Sequence, residues 1–346
     1  MSRVTRPVAR WRSRLTRVGS QWSTWRREWT VERELEEAVS GTGPILAGPW
    51  ISEVGYEVLY WAPFLRWVVA AYRIAPERLV IMSRGGTQAW YGGIAQRYVD
   101  VFDHIAPGEL ADRAVAGDLK QRQVTDLDRR LIDAASAALG QQPSVLHPSI
   151  LFRWFAPFWS GHESMSFLER HTRFVPLAPP TLSLPVALPP EYVAVKFYGA
   201  RSLPDTPDVQ AQLRSIVGAL AARYPVVQLD TGLRVDDHED YHLGGGRVIS
   251  INASVDARVN LAVQTRIIAD ARLFVGTCGS LAWLAPLLGV PTVPVFTDAS
   301  FLHAHLHVAR RAYGRVKGAG RFTPVDLSGL LDAGLGVAAL APAPVS

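Results

Sequence analysis

The feature that most limits the fold is a regular alternation of short apolar segments with helical segments in the second half of the chain. Five apolar segments of strand length are separated by stretches with helical spacing, and they lie at residues 192–197, 226–229, 247–251, 273–276 and 291–296. Thr206 followed by Pro207 is typical of a helix start, with threonine as N-cap and proline at the first helical position. This alternation predicts a doubly wound parallel sheet.

The first half shows the same pattern with fewer segments. Pro44–Trp50 predicts a strand, Tyr56–Tyr72 a helix and Arg78–Met82 a second strand, which together indicate a parallel crossover. The Gly-rich loop at residues 83–87 is then predicted to lead into a helix through Trp90, Ile94 and Tyr98. A further helix is predicted over residues 126–139.

Six prolines between Phe174 and Tyr192 favour extended backbone, so this segment is predicted to link two domains. The predicted organisation is a basic, tryptophan-rich arm and helix (1–40), an N-terminal Rossmann-like domain (41–175), a proline-rich linker (176–191), a C-terminal Rossmann-like domain (192–332) and a flexible tail (333–346). The fold class is therefore α/β.

The net charge of +5 is concentrated at one end of the chain. The first 30 residues hold eight arginines and four tryptophans, and the rest of the chain is close to neutral. Arginine mixed with tryptophan suits an anionic membrane surface, and a frayed basic arm is an equally open interpretation. Nucleic-acid binding is not expected.

Cysteine content and apolar runs indicate the cellular location that is expected for this chain. The single cysteine, Cys278, excludes an intrachain disulfide and thiolate zinc clusters. No apolar segment follows the basic N-terminus as in a signal peptide, and no apolar run reaches the ~20 residues that span a bilayer. We expect a soluble cytoplasmic protein, or one peripheral to the cytoplasmic face of the inner membrane.

The strongest candidate for a ligand site is the loop Gly276–Ser280. It follows a predicted strand and precedes a predicted helix, which is where open α/β sheets bind ligands. Two glycines, two hydroxyls and a helix N-terminus make a cradle for a diphosphate. An ordinary tight turn would also use these glycines.

The stretch around this loop resembles a known family. Residues 267–296, with Gly276-Thr-Cys-Gly-Ser280 followed by Gly289-Val-Pro291, resemble the donor-side segment of heptosyltransferases and related glycosyltransferase-B enzymes. The resemblance implies two Rossmann-like domains facing across a cleft and a nucleotide-sugar donor on the C-terminal domain. The donor contacts that it implies are Gly276, Thr277, Cys278, Gly279, Ser280, Thr297 and Asp298.

Two cations lie at and after the end of the predicted strand at residues 192–197. The loop that carries Lys196 and Arg201 is similar to the family's loop that supplies a cation to the donor phosphates. Departure of a nucleoside diphosphate develops negative charge that basic side chains can stabilise. Ordinary surface cations at a strand end are the alternative.

The loop Gly48–Glu57 resembles the family's loop that carries the catalytic base. An inverting transferase needs one carboxylate to deprotonate the acceptor hydroxyl, and both Glu57 and Glu53 are candidates, with helix capping a third possibility. Arg84, Trp90 and Tyr91 follow the second strand and are candidates for binding the acceptor, although aromatic packing in the domain core is equally open.

Several absences favour an inverting, metal-independent reaction. No glutamate follows Glu239, so the paired-glutamate motif of many retaining glycosyltransferase-B enzymes is missing. The tripeptide Asp126-Leu-Asp128 is expected to lie on a solvated helix face rather than at a metal. A metal held by His238 and His242 is less favoured than an exposed acidic loop.

Three more histidines stand at alternating positions, His303, His305 and His307. They could contact an anionic sugar or phosphate, but a half-exposed helix or strand is favoured over that role. No metal and no cofactor besides the nucleotide sugar are expected.

The sequence thus predicts a glycosyltransferase of hexosyl or heptosyl type that moves a sugar from a nucleotide-sugar donor to a glycan or lipid-linked acceptor in cell-surface polysaccharide assembly. A non-hydrolysing nucleotide-sugar epimerase and a non-catalytic nucleotide- or glycan-binding scaffold are the alternatives on the same fold.

Overall fold

A computed structural model describes residues 30–115, 120–233, 240–243, 247–251 and 255–329. The predicted basic arm up to residue 29 and the predicted tail lie outside the described residues. Within the described ranges, no helix has the length and apolar character needed to cross a membrane.

The N-terminal domain is built on a four-stranded parallel sheet with strand order β3-β2-β1-β4. Its strands are β1 (Ile45–Ala47), β2 (Leu79–Ser83), β3 (Arg97–Asp100) and β4 (Ser144–Leu146). In the centre of the sheet, Leu46 pairs with Val80 on one side and with Val145 on the other. Strands β1 and β2 are completely buried and apolar except for Ser83 at the end of β2, as expected for a parallel sheet covered on both faces.

Helices cover this sheet. They are α1 (residues 30–40), α2 (Val54–Tyr72), α3 (Pro107–Val115), α4 (Asp126–Leu139), α5 (Pro148–Trp154), α6 (Ala156–Trp159) and α7 (Met165–Arg170). Helix α2 includes a π-helical segment at Glu57–Trp61, so its side chains change direction just after the first turn. Helix α4 starts with a capping box in which Thr125 and Asp128 bond each other's backbone N–H groups.

One sequence prediction for this domain is wrong. The helix expected through Trp90, Ile94 and Tyr98 is a short 3₁₀ turn at Thr87–Tyr91, followed by strand β3, which contains Tyr98. Gly92 and Gly93 separate the two elements, and Gly93 adopts a φ of 82° that ends helical geometry.

The C-terminal domain is built on a six-stranded parallel sheet with strand order β10-β9-β8-β5-β6-β7. The strands are β5 (Val193–Lys196), β6 (Val226–Gln228), β7 (Val248–Ser250), β8 (Leu273–Thr277), β9 (Thr292–Phe296) and β10 (Val325–Asp326). All five predicted strands are confirmed, and β10 adds a short edge strand.

The helices of this domain are α8 (Pro207–Ala221), α9 (Asn260–Ala269), α10 (Leu281–Leu284) and α11 (His303–Tyr313). The Thr206 side chain accepts a hydrogen bond from the Val209 N–H, which confirms the predicted N-cap. The three histidines at alternating positions lie in α11, as the favoured interpretation predicted.

The two domains share one apolar core. Trp90 of the first domain and Leu261 and Trp283 of the second belong to the same buried cluster. A backbone hydrogen bond of 2.9 Å from Ala262 N–H to Gly85 C=O crosses the interface. The glycines at 85 and 86 have φ values of 71° and 77°, which places the Gly-rich loop directly against helix α9. The Gly-rich loop of the N-terminal domain therefore packs directly against the C-terminal domain. The predicted linker at residues 176–191 contains no helix or strand.

Candidate active site in the interdomain cleft

A cleft of about 830 Å³ lies between the two domains. Its N-terminal wall comes from the loop after β1, the start of α2 and residues 120–123, and its C-terminal wall comes from segments that follow β5, β8 and β9. Strands β5 and β8 are neighbours in the sheet although they are distant in sequence, so the crevice opens where the strand order reverses. Parallel sheets bind ligands at this point.

The loop after β8 folds as the predicted turn, and its glycines are required by close contacts. A Cβ on Gly276 would lie 2.4 Å from the Lys196 carbonyl oxygen, and one on Gly279 would lie 2.6 Å from the Tyr198 hydroxyl. Ser280, just before α10, has a φ of 41°, which is unusual for a residue other than glycine. Cys278, Gly279 and Ser280 line the cleft.

Two of the predicted donor contacts in this loop lie behind the cleft wall. Gly276 is inside the sheet, and Thr277 is buried. The Thr277 hydroxyl donates to the Tyr198 carbonyl at 3.0 Å and accepts from the Tyr198 N–H at 2.9 Å. Thr277 thus fixes the loop after β5, and the structure gives its hydroxyl no direct access to a ligand.

Cys278 contributes an uncharged side chain to the C-terminal wall of the cleft. Burial raises the pKa of its thiol to about 12, with a smaller opposing effect of Arg310. The thiol stays protonated at neutral pH, so it lacks the thiolate that a nucleophilic cysteine needs.

The two predicted phosphate-binding cations differ in position. Arg201 lines the cleft, and its guanidinium carbon lies 3.5 Å from the centre of the Phe301 ring. Lys196 is only 13% exposed and pairs with both carboxylate oxygens of Asp240 at 2.9 Å. Its ammonium group also donates to the Leu229 carbonyl, so Lys196 stabilises the loops at the end of β5 and β6 in this structure, and its contact with a donor phosphate stays a prediction.

Thr297 and Asp298 also lie outside the set of residues that line the cleft. Their backbone N–H groups donate to the Ser202 carbonyl at 2.7 and 3.2 Å. They therefore hold the loop that carries Arg201 against the end of β9. The backbone N–H of Ser300 binds the Asp298 carboxylate and lowers its pKa.

The structure separates the two candidate bases. Glu53 is half-buried and lines the cleft just before α2. Glu57 is 0% exposed, and its Oε1 accepts hydrogen bonds from Ser83 at 2.5 Å, Tyr91 at 2.6 Å and Thr87 at 3.4 Å. Glu57 therefore lies inside the N-terminal domain, away from the residues that line the cleft.

Burial of Glu57 raises the pKa of its carboxyl to about 7. The positive charge of Arg84 and the hydrogen bonds from the three hydroxyls oppose this shift but do not cancel it. A carboxyl that is enclosed in this way can exchange protons with its neighbours but has no path to a substrate hydroxyl in this structure.

Comparison with known proteins gives matches to solved structures alone. No protein-family model and no curated protein sequence matches the chain. The ADP-heptose lipopolysaccharide heptosyltransferase II of Escherichia coli aligns with a TM-score of 0.40 and 11% identity over 75% of this chain and 87% of that chain. The E. coli heptosyltransferase WaaC with ADP aligns with a TM-score of 0.37 and 14% identity over 83% and 96%. The glycosyltransferase SnogD of Streptomyces nogalater aligns with a TM-score of 0.36 and 13% identity over 86% of this chain and 98% of that chain.

Two parallel sheets in separate domains, with the segments after their strands meeting at one cleft, decide the architecture. The fold is two Rossmann-like domains that face each other across a cleft. Glu53 lies on the N-terminal wall of this cleft, and Arg201 and the Gly279–Ser280 turn lie on the C-terminal wall.

The predicted acceptor-binding residues are not among those that line the interdomain cleft. Arg84, Trp90 and Tyr91 are all buried. The Trp90 indole N–H donates to the Thr265 hydroxyl across the domain interface at 3.0 Å, and the Tyr91 hydroxyl donates to Glu57. Packing and internal hydrogen bonds use these side chains, which agrees with the alternative of aromatic packing in the domain core; their binding of an acceptor stays a prediction.

Other residues of the N-terminal domain line the cleft. Tyr56, Tyr60, Lys120 and Arg122 line the cleft, and His305 reaches it from α11. The sequence marks none of the four N-terminal ones, because Lys120 and Arg122 stand in a polar stretch without a motif. Tyr56 and Tyr60 look like ordinary apolar positions of a helix.

His305 is held by the other domain. Its Nδ1 lies 2.6 Å from the Tyr60 hydroxyl. Burial, and secondarily the charge of Lys120, lower the pKa of His305 to about 4, so the imidazole is neutral at physiological pH.

The Asp126-Leu-Asp128 tripeptide departs in part from its predicted environment. Asp126 is exposed, but Asp128 is fully buried and accepts hydrogen bonds from Gln121 and Thr125, so the solvated-face prediction is wrong for Asp128. His238 lies outside the described residues, and His242 bonds to Asp230 at 2.9 Å. Among the residues that the structure describes, no group of side chains could hold a metal ion.

Proposed function

We propose that the protein is a glycosyltransferase that transfers a sugar from a nucleotide-sugar donor to an acceptor hydroxyl, with inversion at the anomeric carbon. One observation carries the proposal. A single cleft at the carboxyl ends of two parallel sheets places a carboxylate, Glu53, on one wall and a cation, Arg201, on the other. This arrangement suits a base for the acceptor and an electrostatic partner for the leaving group.

The C-terminal wall suits the donor. As the bond between sugar and diphosphate breaks, negative charge grows on the leaving oxygen. Arg201 can bind a diphosphate in bidentate fashion, and the positive-φ turn at Gly279–Ser280 presents backbone next to it. Because Arg201 supplies the positive charge, the proposed reaction needs no divalent cation.

The N-terminal wall suits the acceptor. In an inverting reaction one carboxylate takes the proton of the attacking hydroxyl, which adds to the face of the sugar opposite the leaving group. Glu53 is the carboxylate that lines the cleft, and we assign it this role. The acceptor is proposed to be a glycan or lipid-linked glycan of cell-surface polysaccharide assembly.

The donor site is tested by binding of UDP, GDP, ADP, CMP and dTDP, measured by calorimetry with and without Mg²⁺. We expect one nucleotide to bind without metal, and Arg201→Ala to weaken it by about tenfold or more, which is about 1.4 kcal/mol. Arg214→Ala is the matched control, since Arg214 is an exposed arginine of α8 that bonds to Gln210. Equal affinity in both variants would show that Arg201 is not part of the donor site.

The reaction is tested with Glu53→Gln on the donor identified in this way. We expect nucleotide affinity to stay unchanged and turnover to fall by about 10²–10⁴-fold, the usual contribution of a general base. Conversion of the nucleotide sugar in the absence of any acceptor would identify an epimerase. Nucleotide binding with no turnover across a panel of acceptors would favour a scaffold.

A further inference from the structure

The segment at residues 120–123 is fixed to the cleft wall by a buried amide. Gln121 is fully buried, and its side chain accepts a hydrogen bond from the Ile51 N–H at 2.9 Å. The same amide donates to the Pro49 carbonyl and to the Asp128 carboxylate, both at 2.8 Å. Three hydrogen bonds therefore hold one side chain against the loop after β1.

This anchor determines where the flanking cations lie. Lys120 and Arg122 stand on either side of Gln121, and the Arg122 N–H donates to the Lys120 carbonyl at 2.7 Å, which closes a tight turn. Both side chains line the cleft. The Lys120 ammonium lies 5.0 Å from the centre of the Tyr56 ring, which is also part of the wall. The backbone of both residues is thus held at the wall without a ligand, and the Lys120 side chain is also in contact with the wall.

The wall is positively charged. Within the described part of the chain, no carboxylate pairs with Lys120 or Arg122, and Glu53 is the one acidic side chain among the residues that line the cleft. Arg201 adds a third cation on the opposite wall.

Lys120 and Arg122 lie on the N-terminal wall of the cleft, whereas Arg201 lies on the C-terminal wall. Lys120 is half-buried and Arg122 is exposed, so the charged groups of both residues are accessible to a ligand in the cleft. Oxyanions such as phosphate monoesters and carboxylates match a lysine and an arginine at close distance.

We propose that Lys120 and Arg122 form a second anion-binding subsite that holds a phosphate monoester or carboxylate group of the acceptor. The inference rests on the proposed glycosyltransferase function and narrows its acceptor to an anionic glycan. In this arrangement the anionic group orients the acceptor so that its hydroxyl lies beside Glu53. Lys120 and Arg122 are then positioning residues.

The test uses the protein saturated with whichever nucleoside diphosphate binds, so that the Arg201 subsite is filled. Inorganic phosphate, glucuronate and neutral glucose are titrated in turn by calorimetry. We expect at least one anion to bind in addition to the nucleotide, and glucose not to bind. Phosphate binding alone assigns a phosphate ester, and glucuronate binding alone assigns a carboxylate.

The variant for this test is Lys120→Met combined with Arg122→Gln, which keeps side-chain length and removes both charges. We expect the anion affinity to fall by about tenfold or more, while nucleotide affinity changes by less than about twofold. The matched control is Arg129→Gln combined with Arg130→Gln, which removes two exposed charges of α4. Its anion affinity should equal that of the unmodified protein.

Three results would overturn the subsite. Competition between the anion and the nucleotide would show a single site, and equal loss in the test and control variants would show a general charge effect. Failure of every anion to bind would remove the subsite altogether. If no nucleotide binds, the proposed function fails, and the same titrations on the unliganded protein still decide whether Lys120 and Arg122 bind anions.

Discussion

Replacing Glu57 by glutamine should change how stability depends on pH. The carboxyl has an ordinary pKa of 4.5 in the unfolded chain, and burial raises it to about 7 in the folded protein. Below about pH 4.5 both states carry the proton, and the group contributes nothing. As pH rises the unfolded state loses the proton first, so the free energy of unfolding decreases until the pH passes about 7.

The size of this effect follows from the pKa shift. One pKa unit corresponds to about 1.4 kcal/mol, so the shift from 4.5 to about 7 corresponds to a loss of about 3 kcal/mol between those pH values. Above about pH 7 the loss is complete and constant. Glu57→Gln carries no titratable proton, and its carbonyl oxygen can still accept hydrogen bonds from Ser83 and Tyr91. The variant should lack this part of the pH dependence.

Urea unfolding followed by tryptophan fluorescence measures the effect, at several pH values from about 4.5 to about 8. Across this range we expect the free energy of unfolding of the unmodified protein to decrease by about 3 kcal/mol more than that of Glu57→Gln. Glu53→Gln, which alters a carboxylate of the cleft, should keep the Glu57 contribution. An unchanged pH slope in Glu57→Gln would refute the burial argument, and loss of turnover in Glu57→Gln with full turnover in Glu53→Gln would reassign the base.

Three further substitutions test the packing around the cleft. Gly279→Ala places a Cβ about 2.6 Å from the Tyr198 hydroxyl, so we expect about 1–3 kcal/mol of destabilisation and weaker nucleotide binding, measured by urea unfolding and calorimetry. Trp90→Phe removes the indole N–H bond to Thr265 together with part of a buried ring system, which should cost about 2 kcal/mol or more in urea unfolding; no change would contradict this packing role of Trp90. Gln121→Ala removes three buried hydrogen bonds and should cost about 2–4 kcal/mol by the same measurement, whereas a cost below about 1 kcal/mol would contradict the anchor.

Much of the fold could be predicted because it depends on local apolar runs. The strands β5, β8 and β9 are almost continuous runs of buried apolar residues, and Thr206 marks the start of α8 by itself. Strand β3 was missed because Arg97 and Asp100 give it no apolar run. Strand β4 has three residues, too few for any periodicity to show.

The candidate site was harder to predict because its side chains are selected by contacts distant in sequence. Glu53 and Glu57 stand four residues apart on the same loop and helix start, and only the packing of strand β2 against α2 shows which of them is enclosed. Gln121 reaches Ile51, 70 residues away, and no local pattern reports that contact. The loop at Gly276–Ser280 was recognisable because close backbone approach requires glycine in a fixed pattern.

The shared apolar core between the domains has a practical consequence for protein engineering. Each half of the molecule buries part of its hydrophobic surface only against the other half, through Trp90, Leu261 and Trp283. Expression of either half alone would expose this surface and favour aggregation. Chimeras that exchange one domain for the corresponding domain of another protein must therefore also transplant the residues that contact helix α9, because the two halves would otherwise not pack together.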